Sequence, residues 1–336
     1  MGDVMKAVDI KDGTGPVEAL FINDATPKPV PKEGEVLVRV KAFGLNRMDL
    51  LQREGKYPVP PQAPKTLGVE FSGTISTLGP STTCSFSAGD EVFGLAYGGA
   101  YAEYISVSPL MLLHKPSSLS WEVCAAIPEV FMTATQALHL IGSFKHGDSV
   151  LWHAGASSVS LAGLQLSLDS GASEVYATAG TDEKCRYVES LGAKKCFNYK
   201  TTDWAAEILK ITNNKGVDII MDYVGATYFT SNLSVIARDG RWVIQGLMGG
   251  SKLKDVDIGA LLYKRVRIEG STLRSRNLDY QGKLRDKLGE YMPDFESGKL
   301  KVSVDTVLDW SEIQKAQSLL EGNTTMGKIV CTIPWE

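Results

Sequence analysis

Apolar and polar residues follow one rhythm in the first part of this 336-residue chain and another in the middle. In residues 1–130 the apolar runs are short and are separated by Gly and Pro. Segment 36–41 alternates toward its charged end, as a half-buried strand does, and we expect further strands over 89–94 and 98–104. Short strands at this spacing predict a small β-barrel or sandwich.

A helical periodicity over 121–140 marks the change of pattern, and strands and helices alternate after it. Strands are predicted over 149–153, 174–178, 217–222 and 242–246, and helices over 161–168 and 228–237. Alternation of this kind predicts a parallel sheet with helices on both faces.

The end of the chain mixes both element types. Helices are predicted over 280–295 and 311–320, and strands over 304–308 and 328–332. We expect the last strand to return to the first domain, so that the parallel-sheet domain is an insertion. The predicted bounds are 1–130 and 273–336 for the outer domain and 131–272 for the inserted one.

Composition narrows the function classes. The net charge is −4 without a basic block, so nucleic-acid binding is not indicated. No run of about 18 apolar residues predicts a membrane span, and the first residues carry no targeting pattern. The five cysteines are scattered without a Cys-x-x-Cys pair, which favours reduced thiols and a cytoplasmic location.

A turn of small residues, Ala154-Gly-Ala-Ser-Ser-Val-Ser160, separates a predicted strand from a predicted helix. Small residues there let a dinucleotide pyrophosphate approach the N–H groups at the helix N-terminus. Gly155, Ser157, Ser158 and Val159 are the candidate contacts. An ordinary tight turn in a nucleotide-free sheet is the alternative, but the second strand at the expected distance favours a nicotinamide cofactor.

The second strand of this unit ends in Thr178-Ala-Gly180, without the acid that usually binds the ribose 2′-hydroxyl of NAD. Thr181 and Lys184 follow, and both can donate to a 2′-phosphate. Asp182 and Glu183 are interpreted as first-turn acids of a helix capped by Thr181, where negative charge is favourable. The pattern therefore favours NADPH.

Six segments resemble the zinc-free quinone oxidoreductases of the medium-chain dehydrogenase/reductase superfamily, most closely the p53-inducible type. They are residues 44–53, 125–129, 239–243, 246–250, 273–276 and 326–330. The resemblance implies an α/β fold in which a Rossmann doubly wound parallel sheet is inserted in a GroES-like β-barrel catalytic domain. It also implies NADPH in an interdomain cleft and a homodimer, for which 266–270 is a candidate edge strand.

The resemblance also implies roles for single residues. Asn46 and Asp49 would lie near the nicotinamide, Tyr57 would line the substrate cleft, and Thr133 would open the domain-linking helix beside the nicotinamide ribose. The remaining cofactor contacts implied are Gly246, Leu247 and Met248 at the carboxamide, Lys184 and Tyr199 at the 2′-phosphate, and Lys328 near the phosphates or the cleft.

One departure from the family pattern concerns the turn. Relatives commonly have Gly at the positions of Ser158 and Ser160. If position 158 required a positive φ, serine would be strained there, and Ser160 could crowd the strand–helix packing. A degenerate member that binds no cofactor is the reading that these two serines would support.

Zinc-dependent relatives need a cysteine near Asn46 and a histidine next to Glu70, where this chain has Asn46 itself and Val69. The four histidines are dispersed, so no metal ligand is predicted. Hydride transfer to an electron-poor acceptor remains, with Tyr57 and Asn46 as candidate hydrogen-bond donors to its oxygen. Asp49 is interpreted as orienting Asn46 or the helix start rather than as a general base.

Three functions stay open from the sequence. The first is NADPH-dependent reduction of quinones. The second is NADPH-dependent reduction of the C=C bond of enones or 2-alkenals. The third, of another class, is an RNA-binding or cofactor-sensing protein without turnover.

Overall fold

The computed structural model describes residues 3–335, which divide into two compact units. Unit 1 contains the described residues up to Met132 and those from Arg274 onward, and unit 2 is Thr133–Leu273. The strands are β1 (Val4–Ile10), β2 (Leu20–Pro27), β3 (Val36–Gly44), β4 (Glu70–Leu78), β5 (Glu91–Leu95), β6 (Tyr104–Val107), β7 (Leu112–His114), β8 (Ser149–Trp152), β9 (Glu174–Ala179), β10 (Lys195–Asn198), β11 (Val217–Asp222), β12 (Ile236–Ile244), β13 (Arg267–Gly270), β14 (Val304–Asp309) and β15 (Lys328–Thr332).

The helices are shorter on average than the sequence pattern suggested. They are α1 (Arg47–Arg53), α2 (Trp121–Ala125), α3 (Pro128–Thr135), α4 (Ser158–Asp169), α5 (Asp182–Ser190), α6 (Trp204–Ile211), α7 (Phe229–Val235), α8 (Gly259–Lys264), α9 (Leu278–Glu290), α10 (Met292–Glu296) and α11 (Ile313–Glu321), with a π-helical turn over Gln136–Ile141. None of the helices within residues 3–335 combines the length and the apolar character needed to cross a bilayer.

Unit 2 is built on a six-stranded sheet in the order β10-β9-β8-β11-β12-β13, with every pair parallel. The strand order reverses between β8 and β11, and ligands of such sheets bind outside the carboxyl ends of the strands at this reversal. Leu151, Tyr176, Ile220 and Trp242 form part of the buried core beside the central strands. The predicted parallel sheet is confirmed, and β11 has the predicted bounds.

Helix α4 packs unusually close to β8. A Cβ at Gly163 would lie 2.1 Å from Trp152 Cη2, so only glycine fits against the buried indole. The indole N–H in turn donates to Ser167 Oγ on the same helix at 3.1 Å. These contacts fix α4 relative to the strand that precedes it.

Unit 1 contains a seven-stranded sheet in the order β14-β15-β3-β4-β5-β7, in which β6 also pairs with β3, and a separate β1–β2 pair. Strand β15 lies between β14, to which it is parallel, and β3, to which it is antiparallel. The predicted return of the last strand to the first part of the chain is thus confirmed. The strand path is open, so a closed barrel is not shown.

Several predicted elements were wrong in detail, among them the single helix over 280–295, which is α9 and α10, and the strand over 242–246, which ends at Ile244. Residues 98–104 form a loop with Gly98 and Gly99 at positive φ, and the strand begins only at Tyr104. The helix expected over 228–237 ends at Val235, because Ile236 already pairs with Val217.

The helix expected over 121–140 is broken before Pro128, which lacks an N–H for a continuous helix and begins α3 instead. Thr133 therefore lies inside α3 and does not open a helix as the resemblance implied.

Replacing Gly163 with alanine should destabilise unit 2, because the new methyl group overlaps Trp152. We expect a loss of about 1–3 kcal/mol in the free energy of unfolding, typical of overpacking. Gly282→Ala in α9 is the matched control, since its Cβ would meet nothing closer than 3.8 Å. Urea unfolding followed by tryptophan fluorescence and circular dichroism measures both. Equal stability of the two variants would contradict the packing argument.

Candidate functional site

Asn46 directly precedes α1 and its side chain is engaged at both ends. Its Nδ2 donates to Glu70 Oε1 at 2.9 Å, and its Oδ1 accepts from Lys328 Nζ at 2.6 Å. Asn46 follows β3, Glu70 begins β4 and Lys328 begins β15, so three strands of one sheet bring these groups together.

Lys328 and Glu70 form an ion pair in which both side chains are essentially buried. The second oxygen of Glu70 accepts the backbone N–H of Glu129 at 3.0 Å. Each charge therefore has an opposite charge and a further hydrogen bond, which is the condition for tolerating a buried pair. Gly44 makes room for it, since a Cβ there would lie 2.5 Å from Glu70 Oε1 and 2.8 Å from Lys328 Cε.

These contacts determine the orientation of the Asn46 amide. An ammonium group only donates and an ionised carboxylate only accepts, so Oδ1 must face Lys328 and Nδ2 must face Glu70. The amide nitrogen has two N–H groups, of which Glu70 takes one. The donor role expected for Asn46 would use the other N–H.

Asp49 lies in the first turn of α1 and is fully buried. Its Oδ2 accepts the backbone N–H of Asn46 at 2.8 Å and the hydroxyl of Tyr101 at 2.9 Å. Burial raises the pKa of Asp49 to about 6, although these hydrogen bonds and the charges of Arg274 and Lys328 oppose the shift. Asp49 therefore contacts the backbone of Asn46, the residue that it is expected to orient.

Tyr57 lies in the loop after α1 and is partly buried. Burial, followed by the charge of Glu129, raises the pKa of the Tyr57 hydroxyl, so it stays a neutral donor. The guanidinium carbon of Arg274 lies 5.4 Å from the centre of the Tyr57 ring. Tyr57 thus joins the same region of unit 1 through Arg274, whose charge also reaches Asp49.

In unit 2, the turn after β8 requires glycine at one position. A Cβ at Gly155 would lie 2.7 Å from Ala177 Cβ on β9, and the Gly155 N–H donates to Thr178 O at 2.7 Å. Ala154, just before it, adopts φ 49°. The chain therefore turns sharply against β9 before α4 begins.

The serines of this turn are accommodated without the expected strain. Ser157 is the N-cap of α4, and its Oγ accepts the Ser160 N–H. Neither Ser158 nor Ser160 has a positive φ. The hydroxyl of Ser160 is buried and donates to His153 O at 2.8 Å. The N–H groups of Ser158 and Val159 lie in the first helical turn, where no intrahelical partner exists.

The predicted 2′-phosphate residues follow β9 and β10, whose carboxyl ends lie at the same edge of the sheet. Thr181 is the N-cap of α5, as predicted, and its Oγ accepts the Lys184 N–H at 3.2 Å. Tyr199 is 45% exposed, and a Cβ at Gly180 would lie 3.0 Å from its hydroxyl. Asp182, the nearby acid, accepts from Asn198 Nδ2 at 2.7 Å.

Gly246, Leu247 and Met248 form a loop after β12 at this same edge. The Met248 N–H donates to Tyr223 O at 3.1 Å, and a Cβ at Gly246 would lie 3.0 Å from that oxygen. The side chains of Leu247 and Met248 are about half exposed. The loop therefore runs beside the end of β11, next to the reversal of strand order.

The structure assigns the predicted residues to two groups. Asn46, Asp49 and Lys328 share one network in unit 1, while the remaining cofactor candidates, Thr133 excepted, follow the strands of unit 2. Sequence reasoning did not assign Glu70, Tyr101 or Arg274 a role. An acid within the apolar run 67–71 was the available signal for Glu70, since such an acid needs a buried partner.

Within residues 3–335, no three His, Cys, Asp or Glu side chains are grouped so that they could hold a metal ion.

The raised pKa of Asp49 predicts that this residue makes the protein less stable as the pH rises. Its folded pKa of about 6 exceeds its ordinary value of 3.8, so the stabilisation is complete below pH 4 and is lost as the pH rises through 6. Between pH 5 and pH 8 the wild type should lose on the order of 1 kcal/mol relative to Asp49→Asn. Urea unfolding of both proteins at both pH values measures this difference, and parallel pH profiles would refute it.

Two family models match the chain. The model described as an alcohol dehydrogenase GroES-like domain matches residues 32–117, and that described as a zinc-binding dehydrogenase matches residues 158–288. Among curated relatives, quinone oxidoreductase from Homo sapiens is 29% identical over 97% of both chains. Quinone oxidoreductase from Lama guanicoe is 32% identical over 81% of both chains.

Solved structures share the whole fold. A NAD-dependent alcohol dehydrogenase is 32% identical with a TM-score of 0.84, covering 98% of this chain and all of its own. The CurK enoyl reductase is 28% identical with a TM-score of 0.86 over 99% and 100%. A mycobacterial protein complexed with NADPH is 28% identical with a TM-score of 0.85 over 98% and 99%. The chain therefore belongs to the quinone oxidoreductase type of the medium-chain dehydrogenase/reductase superfamily and is an oxidoreductase.

Proposed function

We propose that this oxidoreductase is an NADPH-dependent, zinc-independent reductase that transfers hydride to quinones. The likeness to a quinone oxidoreductase along 97% of the chain carries the proposal. The cofactor and the metal independence rest on residues of this chain.

The residues of unit 2 fit a dinucleotide. Gly155 lets the turn pass close to β9, and the N–H groups of Ser158 and Val159 suit a pyrophosphate at the start of a 12-residue helix. No acid follows β9 directly, and Asp182 is engaged by Asn198. Lys184 and Tyr199 would hold the 2′-phosphate, which favours NADPH.

Zinc independence is supported by the charge beside Asn46. The positions where zinc-dependent relatives need a cysteine and a histidine hold Asn46 and Val69. The ammonium group of Lys328 lies 2.6 Å from Asn46 Oδ1 and compensates Glu70. A divalent cation there would meet a fixed positive charge and no thiolate or imidazole ligand.

Bound NADPH supplies one hydrogen and two electrons as hydride, and an electron-poor quinone can accept them without a Lewis acid. Asn46 and Tyr57 would hold the acceptor oxygen by donating an N–H and an O–H, keeping the ring at a reacting distance of about 3–3.5 Å. Water supplies the proton that completes the hydroquinone, so Asp49 keeps its orienting role.

We further propose a homodimer paired along β13, together with a cytoplasmic location. Strand β13 is one of the two outer strands of the six-stranded sheet, and Leu262 and Tyr263 of the preceding helix are each 75% exposed. Exposed apolar residues beside an open sheet edge are typical of an association surface. The five cysteines are free, as in proteins of reducing compartments.

The cofactor assignment predicts tighter binding of NADPH than of NADH. Lys184→Gln should weaken NADPH binding about tenfold or more, the effect of losing one charge-assisted hydrogen bond, and should leave NADH binding unchanged. Lys210→Gln, at an exposed position of α6, is the control and should change the binding of neither cofactor. Titration followed by cofactor fluorescence gives all the constants. An equal loss of affinity for NADPH and for NADH in Lys184→Gln would contradict the contact with the 2′-phosphate.

The reaction predicts turnover of 1,4-naphthoquinone with NADPH after exhaustive treatment with a zinc chelator. A 2-alkenal and an enone are assayed side by side as competing acceptor classes. Tyr57→Phe should lower kcat/KM for the quinone up to about tenfold, because one hydrogen bond to the acceptor is lost. Activity that disappears with chelation and returns with zinc would overturn the proposal, and exclusive turnover of the alkenal would transfer it to C=C reduction.

A further inference from the structure

Arg274 carries a guanidinium group that the mechanism above does not use. Arg274 directly follows unit 2 in the chain, and the residue as a whole is 2% exposed. Its Nε donates to Tyr97 O at 2.6 Å and its Nη1 donates to Gln52 Oε1 at 2.7 Å. These two contacts fix the plane of the guanidinium group.

The third nitrogen, Nη2, is buried and has no hydrogen-bond partner. The charges of Asp49 and Glu129 reach Arg274, but its side chain interacts directly with neutral oxygens, those of Tyr97, Gln52 and the Tyr57 hydroxyl. A buried donor without an acceptor costs about 1–3 kcal/mol, and more when it is charged. A ligand oxygen that completed this site would remove the cost.

Gly98 lies against Nη2 on one side, and any side chain there would be crowded by Nη2, Pro64 and Thr66 O. A Cβ at Gly98 would lie 3.1 Å from Nη2 and 3.2 Å from Pro64 Cδ. The ring of Tyr57, the partly buried tyrosine proposed to contact the acceptor, is centred 5.4 Å from the guanidinium carbon. An oxygen in this space would meet a fixed cation next to an aromatic ring.

We propose that Arg274 Nη2 binds an acceptor oxygen that carries a negative charge or gains one during hydride transfer. Hydride addition places two electrons on the quinone, and one carbonyl oxygen becomes an oxyanion until water protonates it. A guanidinium held in place beforehand stabilises that oxyanion without reorganising. This inference rests on the proposed function but makes a separate claim about one residue, which is thereby a specificity determinant for the acceptor.

Two readouts test it, one with turnover and one without. Arg274→Gln should lower kcat/KM for 1,4-naphthoquinone about 100-fold, the usual effect of removing one oxyanion donor, with the NADPH dissociation constant unchanged within twofold. It should also weaken binding of 2-naphthoate, a redox-inert carboxylate probe, at least tenfold by calorimetry in the absence of cofactor. Gly98→Ala should act in the same direction, because its methyl group narrows the space before Nη2.

Arg285→Gln is the matched control. Arg285 also donates to backbone oxygens in unit 1, at Leu112 O and Pro109 O, but its loss should affect stability alone. Should Arg274→Gln fold poorly, Arg274→Ala assayed with added guanidinium replaces it. Recovery of at least tenfold activity by guanidinium, but not by sodium at equal ionic strength, supports the assignment.

The outcomes separate the sources of charge and the two proposals. Loss in kcat with the neutral quinone indicates the developing oxyanion, and loss in KM confined to a carboxylate-bearing quinone indicates a ground-state anion. Wild-type protein without quinone turnover but with Arg274-dependent naphthoate binding ends the quinone proposal and retains this one. Unchanged kinetics and naphthoate binding in Arg274→Gln, with wild-type turnover intact, overturn this inference alone.

Discussion

The buried pair of Lys328 and Glu70 is the interaction on which the candidate site of unit 1 depends. It joins the first residue of β15 to the first residue of β4, and it holds the Asn46 amide in one orientation. Two charges of opposite sign cost little here because each has further polar partners. If either charge were removed, the other would be buried without an opposite charge. Asn46 would also lose a contact that determines which way its side-chain amide faces. The orientation of the Asn46 amide therefore depends on two residues that need not contact a substrate.

In unit 2 the structural constraint is different: a helix has to approach a strand closely. In the family pattern glycines provide the space, whereas this chain has Ser158 and Ser160 at those positions, directly after Ser157. The structure uses the serines as hydrogen-bonding groups: one caps α4, and another returns a hydrogen bond to His153 O. The tight packing of helix against strand lies about one turn further along α4, where Gly163 packs against Trp152. The serines are thus accommodated without the backbone strain that the sequence suggested.

Much of the fold could be predicted because its strands are continuous apolar runs between turn residues. The bounds of β11 and β15 were predicted to the residue for this reason. Local patterns failed where tertiary contacts decide: Ile236 suits a helix or a strand equally well, and its pairing with Val217 makes it a strand residue. Asn46, Asp49 and Lys328 were singled out one by one, but their network was not, because 282 positions separate Asn46 from Lys328. Arg274 was not singled out from the sequence for a similar reason. Nothing in the neighbouring sequence indicates that one of its nitrogens is buried without an acceptor.

The insertion of unit 2 has a consequence for synthesis on the ribosome. Unit 2 leaves the ribosome as one complete segment. In contrast, β3 cannot pair with β15, and Glu70 cannot pair with Lys328, until the last part of the chain has been synthesised. Until the last strand emerges, the nascent chain carries an open sheet edge and a carboxylate that cannot yet be buried, and open edges invite pairing with other chains. Unit 1 of this enzyme is therefore the part of the nascent chain that needs protection longest, although its first strands are made first.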